Sequence, residues 1–302
     1  MTFKRLCLVM VFIASFITNT YAASATHSGY FHGVLLKGDI ADVRLHPTKE
    51  LSYVVAHGAN EDLANLSMIE HVDKLYLIMG RGYPKQGPVT IDVYINDYRG
   101  ITQRGHIPIS GHGITANALV LSAQGDAKIE LSGNIHLANI YARGKTHIEM
   151  SGVNSKRSKI ELFDQASATI TGIIGVCDLN IHQRSCLIMH WVNASQLKFV
   201  LGDHAYVQLA GHVNLLDAEL FENAKLAARF LRSERTFVKT HDQSIAEIST
   251  VRAQHTYALD NSRIDYFNVP AHKTDLMVDS GSVLDLREWY LSNAQENIYV
   301  EE

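Results

Sequence analysis

The sequence predicts an all-β fold, a right-handed parallel β-helix-like solenoid with coils of about 20 residues, preceded by a short-stranded N-terminal β region. Three observations predict it. The first is a spaced turn: Ser110-Gly111, Ser132-Gly133, Ser151-Gly152 and Thr171-Gly172 put glycines 22, 19 and 20 residues apart. Short alternating strands precede three of them, Lys128-Ile129-Glu130-Leu131, His147-Ile148-Glu149-Met150 and Ala168-Thr169-Ile170-Thr171. A repeat of this length sets the architecture before any local reading does.

The second observation is a pair of apolar series. Leu131, Met150, Ile170, Met189, Leu209, Phe230, Ile248, Phe267 and Leu286 cover 155 residues in eight steps, about 19 per step. Leu121, Ile140, Ile160, Leu179, Phe199, Leu220, Val238, Leu259 and Val278 follow half a period away. The third is what lies between: Gly, Asn, Asp, Ser and Lys, which suit turns and positive φ. A unit this small cannot bury its apolar face alone, so neighbours must stack on it, with inward side chains forming columns. A β-sandwich also repeats strands every ~8–12 residues, but two phases held through nine units favour the solenoid.

Residues 1–22 read as a secretory signal peptide. Lys4 and Arg5 precede a 12-residue uncharged run from Leu6 to Ile17, short for a bilayer span, and Thr20 and Ala22 supply small residues for cleavage after Ala22. Cleavage removes two positive charges, moving the formal charge from -4 to -6. That balance gives no electrostatic footprint for nucleic acid and no polybasic membrane patch. The protein is therefore expected outside the cytoplasm, periplasmic or extracellular, without membrane insertion after cleavage.

The region 30–98 should be short strands leading into the solenoid. Strands are expected at 31–36, 43–45, 51–56, 75–79 and 89–95. A helix is expected from Asn60 to about Ile69, with Asn60 as N-cap and acids in its first turn. Residues 80–88 form a Gly- and Pro-rich loop. The repeats run over 98–290. Residues 215–231 have helix propensity but stay in the solenoid because both series pass through in register. Residues 291–302 form a polar tail.

The order of these features resembles a known family. The opening Phe31-His32-Gly33-Val34-Leu35-Leu36-Lys37-Gly38-Asp39-Ile40-Ala41-Asp42-Val43-Arg44-Leu45 is similar to the family's start. Tyr53-Val54-Val55-Ala56-His57-Gly58-Ala59-Asn60, with Leu63, Val72 and Leu75-Tyr76-Leu77, is similar to its second block. The strand 89–95 and the Ser-Gly turns complete the likeness, which covers roughly residues 30–210. The family is the GIN-domain group, auto-transporter adhesin head domain-like proteins. The resemblance implies a β-helix-like exported protein with no established catalytic residues. This chain departs from it in having Ser-Gly-His-Gly at 110–113 and Ser-Gly-Asn at 132–134.

Chemistry is less legible. Cys177 and Cys186 remain after cleavage, and an even pair in an exported chain is read as a disulfide. His182 and His190 flank Cys186, and His204 and His212 follow, but these spacings match no standard metal site. Asp275, Asp279 and Asp285 are the carboxylates from which a carbohydrate-active enzyme, a polysaccharide lyase or glycoside hydrolase, would draw its pair. No Gly-x-Ser-x-Gly elbow or phosphate loop is present. The expectation is an exported non-enzymatic binding or surface-structural protein, adhesin-head-like, without cofactor, whose partner is a polysaccharide or a protein surface.

Overall fold

The computed structural model describes residues 23–287, without the Cys177 side chain. The expected signal peptide and the tail 291–302 lie outside the described residues. Of the described residues, strand accounts for 71% and helix for 2%, and the strands wind into a β-solenoid of about 10 turns with coils of about 19 residues. The predicted class is thus the observed one. No helix among the described residues is long and apolar enough to cross a membrane.

The N-terminal region supplies β1 (Ala23–Gly29), β2 (Gly33–Lys37), β3 (Asp42–Pro47), β4 (Ser52–Gly58), α1 (Asn60–Ala64), β5 (Leu66–His71), β6 (Lys74–Met79) and β7 (Thr90–Ile95). The repeats supply β8 (Gly100–Gly105), β9 (Ile109–Gly125), β10 (Lys128–Gly144), β11 (His147–Leu162), β12 (Ser167–Ile181), β13 (Cys186–Leu201), β14 (Tyr206–Leu220), β15 (Lys225–Thr240), β16 (Ile245–Ala258), β17 (Arg263–Tyr266), β18 (His272–Met277) and β19 (Ser282–Asp285).

Parallel pairing stacks the coils in register. On one face the column runs Val43, Ile109, Ile129, Ile148, Ala168, Leu187, Val207, Leu226, Ala246, Ile264. On the other it runs Ile101, Leu121, Ile140, Ile160, Leu179, Phe199, Ala218, Val238, Thr256. Every member of both is buried. Period-2 alternation along each strand makes this possible, since each second side chain meets its counterpart one coil away.

The predicted inward residues Leu131, Met150, Ile170, Met189 and Leu209 are all buried and consecutive in one column. Beyond Leu209 the predicted series needs correction. A register shift between β14 and β15 puts Phe230 opposite Ala210. Ala228 is the fully buried residue there, and Phe230 points outward, 61% exposed. One extra residue at a bulge flips the face on which a side chain emerges. Further on, Ile248 pairs with Tyr266 and Tyr266 with Asp285, so Phe267 and Leu286 fall one place outside the column. In the second series Leu220 is buried but belongs to the row Leu201, Leu220, Thr240, while Ala218 holds the expected place. Leu259 and Val278 stand at a corner, where their N–H groups bond Thr240 O and Ala258 O.

The expected helix is also shorter than predicted. It ends at Ala64, its N-cap is Ala59, and no side chain caps it. Residues Leu66–His71 instead form a strand antiparallel to β6. Sheet pairing overrides the local propensity of the last part. Asp62, fully buried, accepts hydrogen bonds from the backbone N–H of Lys85 (2.6 Å) and Gln86 (2.9 Å), so it anchors the 80–88 loop.

The N-terminal strands continue the stack out of sequence order. β2 pairs in parallel with both β6 and β8, and β3 with both β7 and β9. The coil formed by β2 and β3 therefore lies between that of β6 and β7 and the first repeat. Antiparallel pairing then closes this end, with β5 against β6, β4 against β7 and β1 against β4. Tyr98, fully buried, ties the return crossing by donating to Val93 O and His46 O, each 2.9 Å away.

Candidate binding face

One corner repeats with little change from residue 163 to residue 262. The four-residue segments are Phe163-Asp164-Gln165-Ala166, His182-Gln183-Arg184-Ser185, Gly202-Asp203-His204-Ala205, Phe221-Glu222-Asn223-Ala224, His241-Asp242-Gln243-Ser244 and Leu259-Asp260-Asn261-Ser262. In each, the fourth N–H donates to the first carbonyl at 3.1–3.2 Å. The small fourth residue is buried. The second residue lies in the left-handed region, φ 56–64°, which short polar side chains tolerate best.

The second side chain also links coils. Asp203 Oδ2 accepts from Gln183 N–H and Asp242 Oδ2 from Glu222 N–H, each at 2.9 Å. Asp164 Oδ2 reaches Gly144 N–H at 3.2 Å. Turns with Asp or Gln at this place thus satisfy a backbone donor of the turn before them, and the first positions fall into line along the axis.

Four of those six first positions, Phe163, His182, Phe221 and His241, carry flat rings. Phe163 and His182 stack with centroids 5.8 Å apart and planes 9° apart. Phe221 and His241 stack at 4.5 Å and 9°. Tyr141 leans on Phe163 at 5.7 Å, and on the strand beside the corner Phe237 stacks on His255 at 4.7 Å. Centroid separations of ~4.5–7 Å are the favourable range for ring pairs, and the spacing of neighbouring strands, ~4.8 Å, supplies it automatically.

Polar partners fix the imidazoles. His182 Nε2 bonds Asn180 Oδ1 at 2.5 Å. His241 Nε2 and Lys239 Nζ both reach Glu219 Oε1 at 3.1 Å. Burial pushes the Glu219 carboxyl up, but the hydrogen bonds from Lys239 and His241 outweigh it and hold it below the ordinary carboxylate range. Lys198 and Asp217 pair at 3.1 Å on the same face. A shallow groove of about 400 Å³ runs along Tyr141, Phe163 and His182.

The sequence-derived candidates are dispersed by the fold. His182 belongs to the ring ladder. His190 stands opposite Thr171 on another strand, and His212 faces Glu234 at 3.7 Å. His204 occupies a turn. Among the described residues no three His, Cys, Asp or Glu side chains are grouped to hold a metal ion. Cys186 opens β13 between Ser167 and Tyr206, and burial pushes its thiol up. The Cys177 side chain, and with it the expected Cys177–Cys186 bond, lies outside the described residues. Of the acids, Asp275 accepts from Thr256 Oγ1 at 2.5 Å and pairs with Lys273 at 2.6 Å. Asp279 turns a corner with φ 48°. Asp285 is held well below the usual carboxylate range by hydrogen bonds from Arg287. Asp275 and Asp285 are thus each engaged in its own place.

Sequence reasoning missed the ladder. Its signal was present: Phe163, His182, Gly202, Phe221 and His241 recur at steps of 19, 20, 19 and 20, each followed by Asp, Gln or Glu and, two residues later, by Ala or Ser.

No family model matches the chain, and no curated protein matches it in sequence. Solved structures do. A "putative lipid binding protein" from Parabacteroides distasonis is 9% identical with a TM-score of 0.42, covering 88% of this chain and 97% of that one. A "putative adhesin" from the same organism gives 11%, 0.43, 88% and 98%. Another "putative adhesin", from Parabacteroides merdae, gives 9%, 0.41, 88% and 97%. At these values the likeness concerns the fold alone.

Proposed function

We propose that the mature protein is an exported, adhesin-head-like binding or surface-structural module that acts without turnover, in the periplasm or outside the cell. The observation that carries this reading is the ring ladder. Flat side chains recur in register along one corner, with charged pairs beside them, on a surface that repeats every coil. Such a face offers many similar weak contacts whose number supplies affinity. A polysaccharide or a protein surface is the partner this reading implies, without a cofactor.

The test is incubation of the mature protein with a polysaccharide panel, assayed for retention on the insoluble polymers and for released reducing ends or unsaturated products. Retention without products is expected. Turnover that disappears in Asp279→Ala would replace the reading with a carbohydrate-active enzyme.

A further inference from the structure

The ladder has one gap. Position one of the corner is Phe163, His182, Gly202, Phe221, His241 and Leu259; Leu259 ends the row, and Gly202 is the one place within it that carries no ring. Backbone geometry does not demand a glycine there. Gly202 is not among the left-handed glycines. A Cβ built on it would meet a single atom, His182 Nδ1 at 4.0 Å. The other corner glycines differ: at Gly125 and Gly144 an added Cβ would strike backbone oxygen at 2.1 and 2.3 Å. A glycine in a strand or turn costs conformational entropy, and where neither φ nor packing requires it, close approach of a ligand is the remaining physical use.

We infer that the gap over Gly202 is a binding slot for one pyranose ring of a saccharide, sandwiched between His182 and Phe221. The two walls stand two strand spacings apart, about 9.5 Å, so a ring midway lies about 4.8 Å from each, inside the stacking range. Both walls are braced from outside, His182 by Phe163 and Asn180, Phe221 by His241. The floor is Gly202 together with Val200, which shares its outward side and is 45% exposed.

The rim favours a sugar over the aromatic side chain of a peptide because it is polar and carries carboxylates. Asn180 Oδ1 holds His182 through Nε2 at 2.5 Å, which turns Nδ1 towards the space over Gly202. Asp203 and Glu219 place carboxylates beside the slot. A carboxylate has room for further donors beside those it already holds, and hydroxyl groups on the edge of a pyranose supply them, while its C–H faces meet the rings.

This inference rests on the proposed binding role, and its test separates the two. Cellohexaose, laminarihexaose, maltohexaose and chitohexaose are titrated by calorimetry against the mature protein at pH 7.5, with a phenylalanine-rich peptide as the competing class. Each sugar is recovered and weighed by mass spectrometry. At least one hexasaccharide should bind intact with a Kd below about 1 mM. Gly202→Phe, which completes the ladder with the protein's own ring, should weaken it at least about tenfold, and Gly202→Ala, which leaves the slot open, by less than about threefold. Phe221→Leu, which keeps the bulk and removes the flat wall, should also weaken it and serves if Gly202→Phe fails to fold. Binding by none of the four, binding of the peptide alone, or full affinity in the fold-competent wall variants would overturn the slot and leave the binding role standing. Cleaved sugar would overturn the binding role.

Discussion

Between residues 100 and 150 the corner is turned by glycine, with Gly105, Gly125 and Gly144 at φ 111°, 132° and 89°. Between 163 and 262 the same place is held by Asp164, Gln183, Asp203, Glu222, Asp242 and Asp260, all left-handed as well. The residues before them differ in step, Arg104, Gln124 and Arg143 in the first region, and chiefly Phe and His in the second. Glycine solves the turn by removing the side chain and letting backbones close on one another. An acidic or amide residue accepts the strain and returns a hydrogen bond to the coil before. Only the second solution carries a stacked ladder, so the chemistry of the face changes where the chemistry of the turn changes. The interiors differ too. The first region is filled chiefly by Ile, Leu and Ala, with Gln103 and Thr146 buried among them, whereas Ser233, Thr236, Thr240, Thr250 and Ser262 are all buried in the second. These bond one another, as in Thr250 to Thr236 and Thr240 to Ser262, both 2.8 Å.

The largest effect should come from exchanging the turn chemistries. Gly125→Ala forces a Cβ into Gly105 O and an L-residue into φ 132°, and should cost about 4 kcal/mol. Asp242→Gly loses one hydrogen bond but keeps the turn, and should cost about 1 kcal/mol. Urea denaturation of both variants measures the gap. Equal costs would mean that the two corners are not distinct solutions.

A somewhat smaller contrast should appear in the interiors. Ile140→Ala opens a cavity in a column between Leu121 and Ile160 and should cost about 3 kcal/mol. Thr240→Val keeps the shape, and Ser262 Oγ retains Thr240 O at 3.0 Å, so the change should stay below about 1 kcal/mol. Thermal unfolding of the pair sharpens or removes this difference.

The smallest effect separates a partly exposed acid from a covered one by pH. Glu219 is held low, so its contribution to stability is complete above the unfolded carboxyl pKa near 4.3 and is lost as pH falls. Asp265 has the opposite sign. It is almost fully buried, and burial, then the Glu247 charge, raise its carboxyl above the ordinary value against the pull of Arg263 at 3.1 Å. Its ionisation therefore opposes folding at neutral pH and ceases to do so as pH falls. Glu219→Gln should lower stability at pH 7, by less than about 1 kcal/mol for this partly exposed group, and match the parent at pH 3. Asp265→Asn should raise stability at pH 7 and lose its advantage at pH 3. A shared sign would contradict the assignment of the two environments.

Period and face were legible in the sequence because they are one-dimensional. Alternation at Leu131, Met150, Ile170, Met189 and Leu209 set which side chains go inward, and the 19-to-20-residue recurrence set the coil. The sequence could not show what depends on pairing across coils. The bulge that turned Phe230 outward, the placement of β2 between β6 and β8, and the bond from Asp203 to Gln183 N–H all arise between segments far apart in the chain. The helix beyond Ala64 failed for the same reason, since the partner strand, not local propensity, decided the conformation of Leu66–His71. Gly202 is the clearest case. As a residue it reads as one more turn glycine, and its meaning depends on the rings one coil to either side. Stacking at the spacing of adjacent strands turns a period in the sequence into a ladder in space, and only there does a missing side chain become a slot.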